Sequence, residues 1–260
     1  MKKILSMLLV LCMALTLCSA AFAEGKSPVD GMTVAFIPKV SGNSFFEAAN
    51  DGAQKYAADW GLTVDYIGAP TADVTTQLEL IQQAIDKGVD AICISSVDAT
   101  GLDEKLQEAQ DAGIFVSTWD SDVSPDARAL MISQGTADVL GPMLVDMAVD
   151  SLTERGVDVN GEVKYVWHFS NPSVSDQNSW YVAGDAYIKE KYPTWVAVND
   201  PYYSNQDPAQ SVSVGESILD AYPDIDVIIC NDSTALPGQC KAAENKGKTA
   251  KDITITGFCP

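Results

Sequence analysis

The chain repeats one pattern from end to end: a short apolar run, then an amphipathic stretch of helical length. Met32–Pro38 reads as a buried strand, and Phe45, Ala49, Ala53, Tyr56 and Trp60 then fall on one helical face. Leu62–Ile67 predicts the next strand, followed by a helix marked by Val74, Leu78, Ile81 and Ile85. Val89–Ser95 predicts a third strand, with Leu102, Leu106 and Ala109 on a helix that Gly113 ends. Ile114–Trp119 and Ala129–Ser133 complete a first set. The rhythm restarts with a helix carrying Val139, Met143, Met147 and Leu152. Strands at Val163–Phe169, Trp195–Val198, Ile225–Cys230 and Ile253–Phe258 follow, with helices near Gln177–Lys191, Pro208–Ala221 and Leu236–Asn245. Parallel neighbours need a crossover of a dozen or more residues, and these helices supply it. Two such sets predict an α/β fold of two doubly wound parallel-sheet lobes joined by a hinge. The N-terminal lobe is expected over 31–133, and the C-terminal lobe over 137–260. Gln134, Gly135 and Thr136, a polar break between a strand and a helix, are expected to be the first hinge crossing.

The first residues have a different character. Lys2 and Lys3 precede an apolar run from Ile4 to Leu17, and Ala21-Phe22-Ala23 then supplies a small-x-small pattern before Glu24. That is the anatomy of a secretory signal peptide over 1–23, its apolar run too short for a comfortable membrane span. Lipidation at Cys18 ranks second, because Leu17 stands where lipid attachment wants a small residue. The expected location is the periplasm or the cell exterior. The whole chain has 16 basic and 36 acidic side chains; without Lys2 and Lys3, 14 remain against 36, a net charge of −22. Such a surface repels phosphate backbones and anionic lipid, which disfavours nucleic acid as a partner. Cys93, Cys230, Cys240 and Cys259 remain after cleavage, with no CxxC pair, so a zinc site is not expected. A bridge from Cys230 or Cys240 to Cys259 is compatible with an oxidising compartment.

In open parallel sheets, ligands bind beyond the carboxyl ends of the strands. That rule selects Lys39, Ser95-Ser96 and Asp120-Ser121-Asp122 in the first half. In the second half it selects Ser170-Asn171, Asn231-Asp232-Ser233 and Cys259-Pro260, with Asp176 and Gln177 at a helix start. The loop after the first strand lacks GxGxxG, no P-loop occurs, and no serine sits in a GxSxG elbow. His168, the only histidine, lies within a strand and reads as packed rather than catalytic. No catalytic residue, cofactor or metal is expected, and enzymatic activity is disfavoured. Carboxylates in a polar cleft have a simpler use: each offers two acceptor oxygens to adjacent sugar hydroxyls. Lys39 would donate to ligand oxygens, and Phe45, Phe46, Trp119 and Trp167 are candidates to cover apolar C–H faces. Each also has a plainer reading: Asp176 as a helix N-cap, Asp120 as a turn residue, and the aromatics as core.

Seven segments occur in a telling order: AFIPK at 35–39, FFEAANDGAQ at 45–54, TWDSD at 118–122, QGT at 134–136, MLVDMA at 143–148, SVSDQNSW at 173–180 and ALP at 235–237. Together they resemble the type I periplasmic binding proteins of ABC importers, specifically the autoinducer-2-binding (Lsr type) and rhamnose-binding subfamily. The resemblance runs from about residue 31 onward. It implies that Lys39, Asp120, Asp176 and Gln177 hold a small sugar-like ligand. The family's Pro-x-Ala cluster is replaced here by Asn231-Asp232-Ser233, a more polar wall that leaves autoinducer-2, rhamnose or another monosaccharide open. A membrane permease is the implied partner; a chemoreceptor or sensor kinase to which ligand is presented is the alternative. Members continue past a strand like Ile253–Phe258, so the resemblance also implies a C-terminal truncation.

Overall fold

The computed structural model describes residues 27–258. The signal peptide, Cys18, Cys259 and both disulfide pairings lie outside the described residues. Five strands form the first sheet: β1 (Thr33–Ile37), β2 (Thr63–Tyr66), β3 (Ala91–Ile94), β4 (Phe115–Trp119) and β5 (Leu130–Ile132), ordered β2-β1-β3-β4-β5 and all parallel. Helices α1 (Ser44–Trp60), α2 (Val74–Lys87) and α3 (Asp103–Asp111) make the crossovers. The second sheet contains β6 (Lys164–Phe169), β7 (Val196–Ala197), β8 (Tyr202–Tyr203), β9 (Val227–Cys230) and β10 (Thr254–Gly257). Its order is β10-β9-β6-β7, also parallel, with β8 pairing farther along the β7 edge of β6. Helices α4 (Ala137–Glu154), α5 (Ser175–Lys191), α6 (Pro208–Ala221) and α7 (Ala235–Asn245) accompany it.

Strand alternation sends successive side chains to opposite faces, and here both faces are covered. In the first sheet Ala35, Ile37, Ile92, Ile94 and Val116 pack with Ile81, Leu102 and Leu106, while Phe36 and Trp119 pack with Phe46 on the other side. In the second, Tyr165, Trp167, Val227 and Ile229 meet α4 and α5 through Leu144, Ala148 and Ile188. Val166, Ile228 and Cys230 meet Ile218, Leu219 and Ala242 from α6 and α7 on the reverse face. Full burial of each such aliphatic side chain contributes about 1.5–3 kcal/mol. The α4–α5 crossing is close enough to require glycine. A Cβ on Gly141 would sit 2.6 Å from the backbone nitrogen of Gly184.

Three details differ from the sequence expectation. Tyr56 and Trp60 are exposed, because α1 turns Phe46 and Ala57 inward instead. Val139, Met143 and Met147 are exposed for a like reason: α4 buries Gly141, Leu144, Val145, Ala148 and Leu152. The strand expected at Trp195–Val198 shrinks to β7, and the same edge resumes at β8 after Pro201, which has no N–H for the ladder. Between β5 and α4 the chain passes from one sheet to the other through residues 133–136.

Candidate ligand site

The carboxyl ends of β1, β4 and β9 and the start of α5 converge on one cavity of about 380 Å³. Lys39 follows β1 and is almost fully buried. Its ammonium lies 3.0 Å from Asp120 Oδ2 and 3.1 Å from Asp176 Oδ1, with Asp176 Oδ2 at 3.2 Å. One cation is therefore shared by carboxylates from opposite sides of the cleft. Asp120 comes off the end of β4 with φ of 62°, a left-handed conformation that costs an L-residue about 1–2 kcal/mol. Ser95 Oγ donates to Asp120 Oδ2 at 2.7 Å, and Gln134 Nε2 donates to Asp120 Oδ1. Asp176 sits in the first turn of α5, where the helix terminus favours negative charge, and accepts from Ser121 Oγ at 2.7 Å.

Burial and charge act against each other here. Burial alone would lower the Lys39 ammonium, but the Asp120 and Asp176 carboxylates outweigh it and hold it above its ordinary value. Burial pushes the Asp176 carboxyl up to about 6, helped by the neighbouring Asp120 charge and only partly offset by Lys39. A third carboxyl, Asp232, is likewise raised by burial, against the pull of the Thr234 N–H and Lys39. Burial pushes His168 down to about 4, so it is neutral; its Nδ1 lies 2.7 Å from Gln239 Nε2, away from the cavity lining.

The cavity brings together Lys39, Asp120, Asp176, Gln177, Asn231 and Ser233, and Phe45 and Phe46 form part of its apolar wall. Gln177 Oε1 accepts from Ser170 N, so any donation Gln177 makes to the cavity comes from Nε2. Trp119 and Trp167 do not line it. Trp119 stands one layer behind, stacked on Phe36 with ring centroids 4.7 Å apart and edge-on to Phe46. Trp167 belongs to the core of the second sheet, against Tyr181 and Gly184. Their place is taken by Trp180 and Phe258, which meet edge to face at 5.6 Å, and by Leu140. Trp180 lies one helical turn beyond Asp176, a spacing that puts both on one face of α5. Gln134, expected only as part of the crossing, lines the cavity, whereas Gly135 and Thr136 do not. Gln206 and Asp232 also line it. Asp232 was visible in the sequence as the centre of Asn231–Ser233, but Gln206 carried no signal.

Direct contacts close the cleft at two more points. Ser175 Oγ accepts from Asp122 N at 2.9 Å and donates to Asp122 O at 2.9 Å. Asn43, which caps α1 by accepting from Phe45 N, donates to Ser233 Oγ at 3.2 Å and Thr234 Oγ1 at 3.1 Å.

Two parallel sheets, a chain crossing between them and a cleft roofed by both are an arrangement shared with known proteins. Residues 34–260 match the periplasmic binding protein domain. The chain belongs to the periplasmic binding protein family. LsrB from Clostridium saccharobutylicum, solved in complex with AI-2, is 59% identical, with a TM-score of 0.87 over 88% of this chain and 71% of that one. An ABC transporter solute-binding protein from Clostridium phytofermentas with bound L-rhamnose superposes with a TM-score of 0.80 at 24% identity, over 88% of this chain and 68% of that one, a likeness of fold. The D-ribose/D-allose-binding protein of Pseudomonas aeruginosa is 24% identical over 99% of this chain and 81% of its own length. Members of the family are exported solute-binding proteins, and this chain is a binding protein rather than an enzyme. No described helix is long and apolar enough to cross a membrane.

Proposed function

We propose that the protein captures autoinducer-2, or a furanose closely like it, between its two sheets and delivers it to the permease of an ABC importer. The observation that carries this reading is the shared cation. Lys39 from the first sheet is held between Asp120 and Asp176, one from each side of the cleft. Carboxylates so placed accept paired hydroxyls, the ammonium donates to a ring or hydroxyl oxygen, and Phe45, Phe46 and Trp180 cover the apolar faces. The 59% identity to LsrB, solved with AI-2, supports the choice of ligand. Asn231 and Ser233 make the far wall polar, and that favours including rhamnose and ribose among the ligands tested. Residues 134–136 act as the hinge about which closure buries the ligand, and the closed form is what the permease receives. Residues 1–23 direct export and are then removed.

Equilibrium titration of the purified protein with autoinducer-2, L-rhamnose and D-ribose tests the reading. Binding is expected for autoinducer-2, and an Asp120→Ala, Asp176→Ala double variant is expected to lose it. Undiminished affinity in that variant would sink the site assignment.

A further inference from the structure

The first-sheet side of the cavity is saturated with hydrogen bonds, and the second-sheet side is not. Gln206, Asn231 and Asp232 line the cavity with 7%, 1% and 2% of their surface exposed. Yet Gln206 Oε1, Asn231 Oδ1 and Asp232 Oδ2 each lack a hydrogen-bonding partner. An acceptor buried without a partner costs about 1–3 kcal/mol, and native structures leave few of them. Three on one wall of one cavity mark where a ligand's donors belong.

For Asn231 and Asp232 the partnered half of the side chain determines which half stays free. Asn231 Nδ2 donates to the Gln177 carbonyl at 2.5 Å, leaving Oδ1. Asp232 Oδ1 accepts from Thr234 N at 2.5 Å and Ala235 N at 3.3 Å at the start of α7, leaving Oδ2. Gln206 is held on a left-handed loop, with φ of 57° after Asn205 at 51°. Strained backbone of this kind gathers where a side chain has a task that ordinary geometry would not serve.

We infer that Gln206 and Asp232 are specificity-determining ligand contacts, which with Asn231 form a wall of free acceptors that selects neutral polyols by their O–H donors. The inference rests on the capture reading above and names the chemistry of the ligand's second face. A carbonyl, ether or deoxy position turned to this wall leaves the acceptors unpaired. A phosphate or carboxylate meets them as a further acceptor, close to Asp120, Asp176 and Asp232 with Lys39 as the one cation lining the cavity. Neutral sugars with adjacent hydroxyls are accepted, and sugar acids and sugar phosphates are refused.

The test titrates wild type, Asp232→Asn and Gln206→Met with autoinducer-2, D-ribose, L-rhamnose and D-ribose 5-phosphate, and records the ligand-free thermal midpoint of each protein. Asn retains the helix-capping oxygen and sets an N–H₂ where Oδ2 stood; Met retains length without the acceptor. Wild type is expected to bind at least one neutral sugar and not the phosphate. Each variant is expected to lose about tenfold or more in affinity with its ligand-free midpoint unchanged, a readout that a purely structural role would not produce. If wild type binds and both variants keep its affinity within about twofold, the inference falls and the capture reading stands. If wild type binds no neutral sugar, the capture reading falls and the inference with it. Should either variant fail to fold, the other decides.

Discussion

The two walls of the cavity use opposite strategies. On the first-sheet side, Asp120 already accepts from Ser95, Gln134 and Lys39, and its charge is matched locally. On the second-sheet side, Gln206, Asn231 and Asp232 carry free acceptors and no cation of their own. A saturated wall is rigid before ligand arrives, so it orients; an unsatisfied wall gains most from ligand, so it discriminates. The residues holding the site together need not be those that choose what fills it.

Removing the shared cation strains the first wall most. Lys39→Met leaves Asp120 and Asp176 buried and facing one another without compensation. Removing one partner of a buried ion pair costs about 3–5 kcal/mol, so a large drop in the urea midpoint and loss of ligand binding are expected. An added Asp176→Asn relieves the repulsion and recovers part of the stability but not the binding. Wild-type stability in Lys39→Met would mean that the first wall is not held by charge at all.

How far the site was legible follows the same division. Lys39, Asp120, Asn231 and Ser233 sit at or just after strand ends, where chain order and the parallel-sheet rule place them without knowledge of packing. Asp176 and Gln177 open a helix, which is equally a local signal. Gln206 lies on a short loop whose position depends on β8, a two-residue strand after a proline that no periodicity announces. Trp119 and Trp167 look like pocket aromatics from their strand ends. Which face of the strand points at the cleft is decided by sheet register and by neighbours such as Phe36 and Gly184. The fold was legible because a strand–helix rhythm survives small errors of phase. The helical faces of α1 and α4 were less so, since a small error of phase exchanges buried Ala57 for exposed Trp60, one turn on, or buried Leu144 for exposed Met143, its neighbour.

A smaller effect comes from Asp176, whose carboxyl is raised from its ordinary 3.8 to about 6, chiefly by burial. A carboxyl held above its unfolded value favours the folded state while protonated, and that advantage is lost as pH rises from about 4 to about 6. The ligand-free wild type is therefore expected to lose stability relative to Asp176→Asn across that window. Denaturation at pH 4.5 and pH 7 measures the difference. Ligand hydroxyls require the ionised acceptor, so affinity is expected to fall below about pH 6, by at most tenfold per pH unit for one proton. A flat profile in both experiments would show that Asp176 stays ionised across the window, its charge matched by Lys39 from the first-sheet side.

The smallest expected effect concerns neither wall but the contact that holds them at their spacing. Ser175 Oγ bonds both the N–H and the carbonyl of Asp122, so one hydroxyl joins the first turn of α5 to the loop after β4. Ser175→Ala removes both hydrogen bonds to the Asp122 backbone, worth about 0.5–1.5 kcal/mol each when both partners are protein. On the capture reading proposed above, their backbone partners regain water when the cleft opens, so the loss falls on the closed form alone. A ligand that needs that form then binds more weakly in proportion to the reduced closed population. A several-fold rise in the dissociation rate, with the association rate unchanged, is expected by stopped-flow or surface-plasmon measurement. The orienting and discriminating walls both depend on closure, so the loss should be the same factor for every sugar that binds. A ligand-dependent factor would instead make Ser175 part of the discriminating surface, and the division between the two walls would have to be redrawn.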